Sequence, residues 1–238
     1  MSKPVNTFYD ICIEELINLF DLDFKSIVRL ALTCKELYQL VSLTKHIRIS
    51  YKGDWNFLFE CWFNLLWNVN LAGTLVKDVS VLKHSRIHIL DLSYTRVTDV
   101  SALAHSQIHT LYLIGTNVTD VSALAHSQIH TLDLACTNVS DVSALAHSQI
   151  CDLDLLGTKV IDVSALAHSK IHTLGLACTK VTDVSALAHS QIHTLDLRCT
   201  KIADVSVLAH SQIHTLNLIG INTDVQDLSI LKDVCIYL

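Results

Sequence analysis

The chain has 238 residues, half of them apolar and 17% charged, with a formal net charge of −6. That composition excludes a disordered polar chain and supplies no general basic field for holding nucleic-acid phosphates. One Pro and six Gly are few for a loop-rich enzyme, whereas fourteen His and eight Cys stand out. At the N-terminus, Asp10, Glu14 and Glu15 fall where a signal peptide needs its apolar core, so an intracellular protein of the cytoplasm or nucleus is expected. No stretch reaches 18 apolar residues; the nearest, Trp55 to Val76, is interrupted by Glu60 and four Asn, and reads as a buried cap helix. The cysteines form no C-x-x-C pair and read as reduced thiols, several of them packing in the core or at edges.

Residues 1–45 are helical in pattern. Leu16, Leu19 and Phe20 share one face, then Ile27, Leu30, Ala31, Cys34 and Leu37 share another, with Asp23 or Ser26 able to cap the second helix. A short helix, a D-x-K-S-I turn at Asp23 to Ile27 and a helix reading L-A-L-T-C-K-E-L resemble an F-box. The family's Leu-Pro start is Ile11-Cys12 here. The resemblance implies a small all-α segment that docks on the adaptor subunit of a cullin–RING ubiquitin ligase through Leu16, Ile27, Leu30, Leu32 and Cys34.

Residues 46–77 carry a dense aromatic run. Trp55, Phe59, Trp62 and Phe63 fit one helical face, which reads as a cap or linker sealing the open end of a repeat array.

From Asp78 the chain repeats every 21 residues, with copies starting at Asp99, Asp120, Asp141, Asp162, Asp183 and Asp204, so seven copies fill residues 78–224. A period in the twenties signals a solenoid. In the copy DVSALAHSQIHTLDLACTNVS, the part from Ile129 to Val139 alternates, which predicts a short strand burying Ile129, Leu132, Leu134 and Val139. The other half opens on Asp120, whose carboxylate can accept the next backbone N–H groups. Val121 and Leu124, three residues apart, then point inward from one helical or 3₁₀ turn on the convex side. One copy buries too little to offset the cost of ordering it, so the copies must stack into a continuous parallel sheet. Seven strands about 4.8 Å apart make a concave face about 34 Å long. Residues 225–238 read as a partial repeat and a weak cap, with a last short strand at 236–238.

The spacing of Ile129, Leu132, Leu134 and Val139 matches the leucine-rich repeat skeleton L-x-x-L-x-L-x-x-N-x-L, and T-D-V-S-A-L resembles the convex turn of internalin-type repeats. The resemblance implies an α/β leucine-rich repeat solenoid. The family's Asn position holds Thr95, Thr116, Thr137, Thr158, Thr179 and Thr200, then Ile221. A Thr hydroxyl is shorter than an Asn amide, so a weaker ladder between neighbouring coils is expected, broken at Ile221. The order of the two segments resembles substrate receptors of cullin–RING ubiquitin ligases, and the near-identical repeats of the T-x-V-T-D-V-S-A-L type resemble F-box and leucine-rich repeat proteins of large DNA viruses, which implies a substrate receptor working in the host cytoplasm.

Each copy contains Asp, Ser and His, as at Asp120, Ser122 and His126. A trio repeated seven times on a regular surface is scaffold rather than one organised catalytic pocket. No P-loop, H-E-x-x-H or G-x-G-x-x-G occurs, so no catalytic residue, cofactor or metal site is expected. His88, His109, His130, His172, His193 and His214 form a column in which Cys151 replaces one member. Recognition is expected on the concave face, where residues vary while the core positions hardly do. Asp91, Tyr112, Asp133, Asp152, Asp154, Asp196, Arg198 and Asn217 are the candidate client contacts, with the Asp row suited to a basic partner. Arg96, Lys159, Lys180 and Lys201 form a basic row at the strand exits. The expected function is a non-enzymatic adaptor: either a ligase substrate receptor or a plain protein-binding scaffold.

Overall fold

The structure, a computed structural model, describes residues 46–48, 68–221, 231 and 234–238. The helices read over residues 1–45, with Leu16, Ile27, Leu30, Leu32 and Cys34, lie outside the described residues, as does the aromatic run from Trp55 to Trp67.

Ten three-residue strands form one sheet in strict chain order. They are β1 (His46–Arg48), β2 (Asn68–Asn70), β3 (Ile89–Asp91), β4 (Thr110–Tyr112), β5 (Thr131–Asp133), β6 (Asp152–Asp154), β7 (Thr173–Gly175), β8 (Thr194–Asp196), β9 (Thr215–Asn217) and β10 (Cys235–Tyr237). Every neighbouring pair is parallel and in step, so Leu90 meets Leu111, Leu111 meets Leu132, and so on along the stack. The seven repeat strands are β3 to β9; two strands precede them and one comes after. At about 4.8 Å per step the outer strands are about 43 Å apart.

Each strand from β2 to β9 buries its middle residue and leaves its flanks half-exposed or exposed, as alternation dictates. The expected inward set of the third copy, Ile129, Leu132, Leu134 and Val139, is at most 1% exposed, and so are Val121 and Leu124. One core of this kind runs through all the coils.

The convex half is a 3₁₀ turn, as at Ser122–His126. Three local bonds fold it. The Asp120 Oδ1 accepts the Ser122 N–H at 2.8 Å, Leu124 N–H donates to the Val121 carbonyl at 2.9 Å, and the Ser127 hydroxyl donates back to the Leu124 carbonyl at 2.8 Å. Ser127 then adopts an extended backbone, which ends the turn after five residues. Its hydroxyl also accepts the Ile129 N–H at 3.4 Å and so leads the chain back toward the sheet.

The Thr column differs from expectation. Thr95, Thr116, Thr137, Thr158, Thr179 and Thr200 are buried, but each hydroxyl donates to a carbonyl of its own coil, three residues back, at 2.6–2.7 Å. The side chain is too short to bridge a strand spacing, so it closes the local turn instead of linking neighbours. Coils are joined by backbone bonds, such as Leu134 N–H to the Asp154 carbonyl at 2.9 Å and His130 N–H to the His109 carbonyl at 2.8 Å.

The third residue after each strand from β2 to β9 is left-handed. Glycine takes the position at Gly73, Gly115, Gly157 and Gly220, but Tyr94, Cys136, Cys178 and Cys199 take it with φ of 55–57°. The cysteines described therefore do not pack in the core: Cys136, Cys178, Cys199 and Cys235 are exposed and Cys151 is half-buried.

Candidate functional site on the concave sheet face

The last residue of each strand from β2 to β9 faces the concave side, and strand register lines these residues up across the sheet. Asn70 meets Asp91, Asp91 meets Tyr112, Tyr112 meets Asp133, and Asp133 meets Asp154. Asp154 meets Gly175, Gly175 meets Asp196, and Asp196 meets Asn217. Seven of the eight expected contacts thus fall in or beside one column. Asp152, at the start of β6, opens the same face and is exposed.

The column has a structural job that sequence reasoning missed. At each Asp or Asn of the column the side chain accepts the backbone N–H two residues on. Asp91 takes Ser93, Asp133 takes Ala135, and Asp154 takes Leu156, all at 2.9 Å; Asp196 takes Arg198 at 3.0 Å. Asn70 and Asn217 do the same for Ala72 and Ile219. These bonds turn the chain out of the strand. They use Oδ1 and leave the second oxygen of each Asp for other work.

Two of those second oxygens are already engaged. Asp91 Oδ2 accepts the Asn70 Nδ2 at 3.1 Å, and Asp196 Oδ2 is paired with Arg198 at 2.6 Å, with Arg198 Nε adding a bond at 2.8 Å. Arg198 is thus held by Asp196 within its own coil. That is the one ion pair among the described residues, so the basic row of Arg96, Lys159, Lys180 and Lys201 does not pair with the Asp row. Asp133 and Asp154 keep Oδ2 without a hydrogen-bond donor among the described residues. Burial pushes the Asp133 carboxyl above its ordinary value; the Ala135 N–H pulls it down, and Asp154 and Asp91 add to the rise.

A groove of about 310 Å³ lies over this region, lined among others by Tyr112, Asp133, Asp152, Asp154, Gly175 and Asp196. Its floor is shaped by Gly175. A β-carbon there would stand 2.5 Å from Asp154 Oδ1, so the absence of a side chain on β7 gives the Asp154 carboxylate its place. Tyr112 walls one side, and the carboxylates of Asp133, Asp152, Asp154 and Asp196 make the groove acidic.

The His column is split. His88, His109 and His130 stack with centroids 5.0 and 5.4 Å apart, and His172, His193 and His214 stack at 5.3 Å, with Cys151 between the triplets. His88 and His109 point Nδ1 at the carbonyl two residues back. Among the described residues no three His, Cys, Asp or Glu converge as metal ligands would, and no helix is long and apolar enough to cross a membrane.

Asn70 extends the column one strand before the first Asp-led copy. Its signal was in the sequence: Val69, Leu71, Thr74 and Val76 stand 21 residues before Leu90, Leu92, Thr95 and Val97.

No family model matches the chain, and no curated protein matches it significantly. Solved structures do. An internalin of Listeria monocytogenes superposes with a TM-score of 0.66 at 28% identity, over 74% of this chain and 54% of its own. Internalin C2 of the same species gives 0.62 at 26% identity, over 74% and 80%. A leucine-rich repeat protein of Leptospira interrogans gives 0.63 at 12% identity, over 83% and 62%. The fold is a leucine-rich repeat solenoid. This chain spans about half the length of the first internalin. The solenoid also superposes on a plant peptide hormone receptor in complex with RGF2, with a TM-score of 0.61 at 9% identity over 82% of this chain and 36% of that one.

Proposed function

We propose that this solenoid is a non-enzymatic protein-interaction adaptor that holds a client on its concave face. The observation that carries this reading is the column from Asp91 to Asn217. The buried positions of the coils are nearly invariant, yet the last strand residue runs Asp, Tyr, Asp, Asp, Gly, Asp, Asn. A surface that differs residue by residue on a uniform frame encodes recognition. The superposition on a receptor solved in complex supports the same use of the fold.

The chemistry of the groove favours a client that presents Lys or Arg. Asp133 and Asp154 offer oxygens that no donor among the described residues fills, and Asp152 stands beside them. Opposite charge across such a face speeds encounter and rejects acidic partners. Tyr112 supplies the flat apolar contact that anchors interfaces.

The F-box-like segment gives the adaptor its second hand. In this reading Leu16, Ile27, Leu30, Leu32 and Cys34 dock on the small adaptor subunit of a cullin–RING ligase. The solenoid then holds client lysines at high effective concentration near the ubiquitin-transfer machinery. The protein works in the cytoplasm or nucleus, in a host cell if the resemblance to proteins of large DNA viruses is one of origin.

Affinity capture from a eukaryotic lysate with the full chain tests both hands. Leu30→Asp with Leu32→Asp should lose the adaptor subunit and cullin and keep the client. Asp133→Asn with Asp154→Asn should lose the client and keep the adaptor. Folded protein that recovers no adaptor subunit or cullin reduces the function to a protein-binding scaffold, and client capture unchanged by the concave pair sinks the concave reading.

A further inference from the structure

The left-handed position after each strand places its side chain against the next coil. A β-carbon built on Gly157 would stand 3.6 Å from the Cys136 sulfur, and one on Gly220 would stand 3.0 Å from the Cys199 sulfur. A sulfur at this position therefore meets whatever the next coil carries there. For Cys136 and Cys199 that residue is glycine. For Cys178 it is Cys199.

The two residues are 21 apart, and register carries them to the same level of adjacent coils: Leu174 meets Leu195 and Gly175 meets Asp196. Both are exposed free thiols with nearly identical backbones, φ 56° and 55°. A non-glycine residue in this conformation costs about 1–2 kcal/mol. Adjacent coils relieve that cost with glycine, so two cysteines side by side are held against backbone strain.

We propose that Cys178 and Cys199 form a two-thiolate binding site for a soft monovalent metal ion of the copper(I) type. Thiolates select soft ions. Structural zinc wants four ligands, and no third His, Cys, Asp or Glu joins the pair among the described residues. The ion that fits is one satisfied by two sulfurs.

On binding, both S–H bonds break, the two protons leave to solvent, and two sulfur–copper bonds form; no electron is transferred. One cation and two neutral thiols become an anionic bis-thiolate and two protons. Loss of solvation opposes this charge at Cys178 most, then the Cys199 thiol; Arg198 favours it, and Asp196 adds a smaller opposition. Cys178 therefore holds its proton until the ion displaces it.

The test uses the full reduced chain, titrated with copper(I) supplied as its bicinchoninate complex. Wild type should withdraw one equivalent more than Cys178→Gly or Cys199→Gly. Cys136→Gly, whose sulfur faces a glycine, should match wild type. Glycine already occupies this position in other coils, so each variant keeps the fold, as circular dichroism would check. X-ray absorption of the one-equivalent complex should show two sulfur ligands. Equal uptake by wild type and both single variants, no uptake by wild type, or a shell with nitrogen or more than two sulfurs overturns the proposal.

Discussion

Replacing Asp133 by Asn should stabilise the protein at neutral pH and weaken the client at the same time. Asp133 on β5 faces Asp154 directly across the strand pair, and both are half-buried. Like charges so placed cost up to about 1 kcal/mol. Asn keeps what Asp133 does for the fold. Its side-chain oxygen can still accept the Ala135 N–H, as Asn70 does for Ala72 at 2.9 Å and Asn217 for Ile219 at 3.2 Å. Its amide gains a donor aimed at the next strand, as Asn70 Nδ2 reaches Asp91 at 3.1 Å. Repulsion is removed and a charge-assisted bond is added, for a gain of about 1 kcal/mol. In a chain of this size that raises the thermal midpoint by about 2–4 °C at pH 7. The sign with pH comes from burial, which raises the Asp133 carboxyl in the folded state. Its ionisation costs stability at neutral pH, and the cost disappears as pH falls through the raised folded value. The gap between variant and wild type should therefore close in acid. Differential scanning calorimetry at pH 7 and pH 3 reads both points. An equal or lower midpoint for Asn at pH 7, or a gap that persists undiminished at pH 3, refutes the reasoning.

Acid should act on the convex side with the opposite sign. Asp78, Asp99, Asp120, Asp141, Asp162 and Asp183 are held below the ordinary value of 3.8 by a backbone N–H and then a hydroxyl of the serine two residues on. The stability they add is complete above the unfolded value and is lost as pH falls through the folded ones; circular dichroism melts should be flat with respect to these groups from pH 7 to 5 and fall below about pH 4. Thr137→Val removes the hydroxyl bond to the Leu134 carbonyl, which still accepts the Thr137 backbone N–H at 3.1 Å. The cost should be about 0.5–1 kcal/mol by urea titration, without loosening one coil from the next. At the left-handed position, Cys136→Gly should stabilise by about 0.5–1 kcal/mol, the strain relieved less the entropy glycine costs. Gly115→Ala should destabilise, because its β-carbon would meet the Tyr94 ring at 2.8 Å; equal melting of both variants and wild type contradicts this.

The buried frame of this protein was legible in its sequence. The 21-residue period and the spacing of Ile129, Leu132, Leu134 and Val139 determine which side chains are removed from water, because burial is collective and needs only pattern, not detail. The convex turn and the concave placement of Asp91, Tyr112 and Asp133 come from the same periodicity. Polar partnerships were decided by the tertiary structure. Pattern does not say that Thr137 bonds its own coil, that Asp196 holds Arg198, that Gly175 makes room for the Asp154 carboxylate, or that Cys178 and Cys199 take a left-handed backbone. Each depends on distances of a few tenths of an ångström and on which oxygen or sulfur a backbone turn leaves unused, and a short-range directional bond takes whichever partner the folded chain brings within reach.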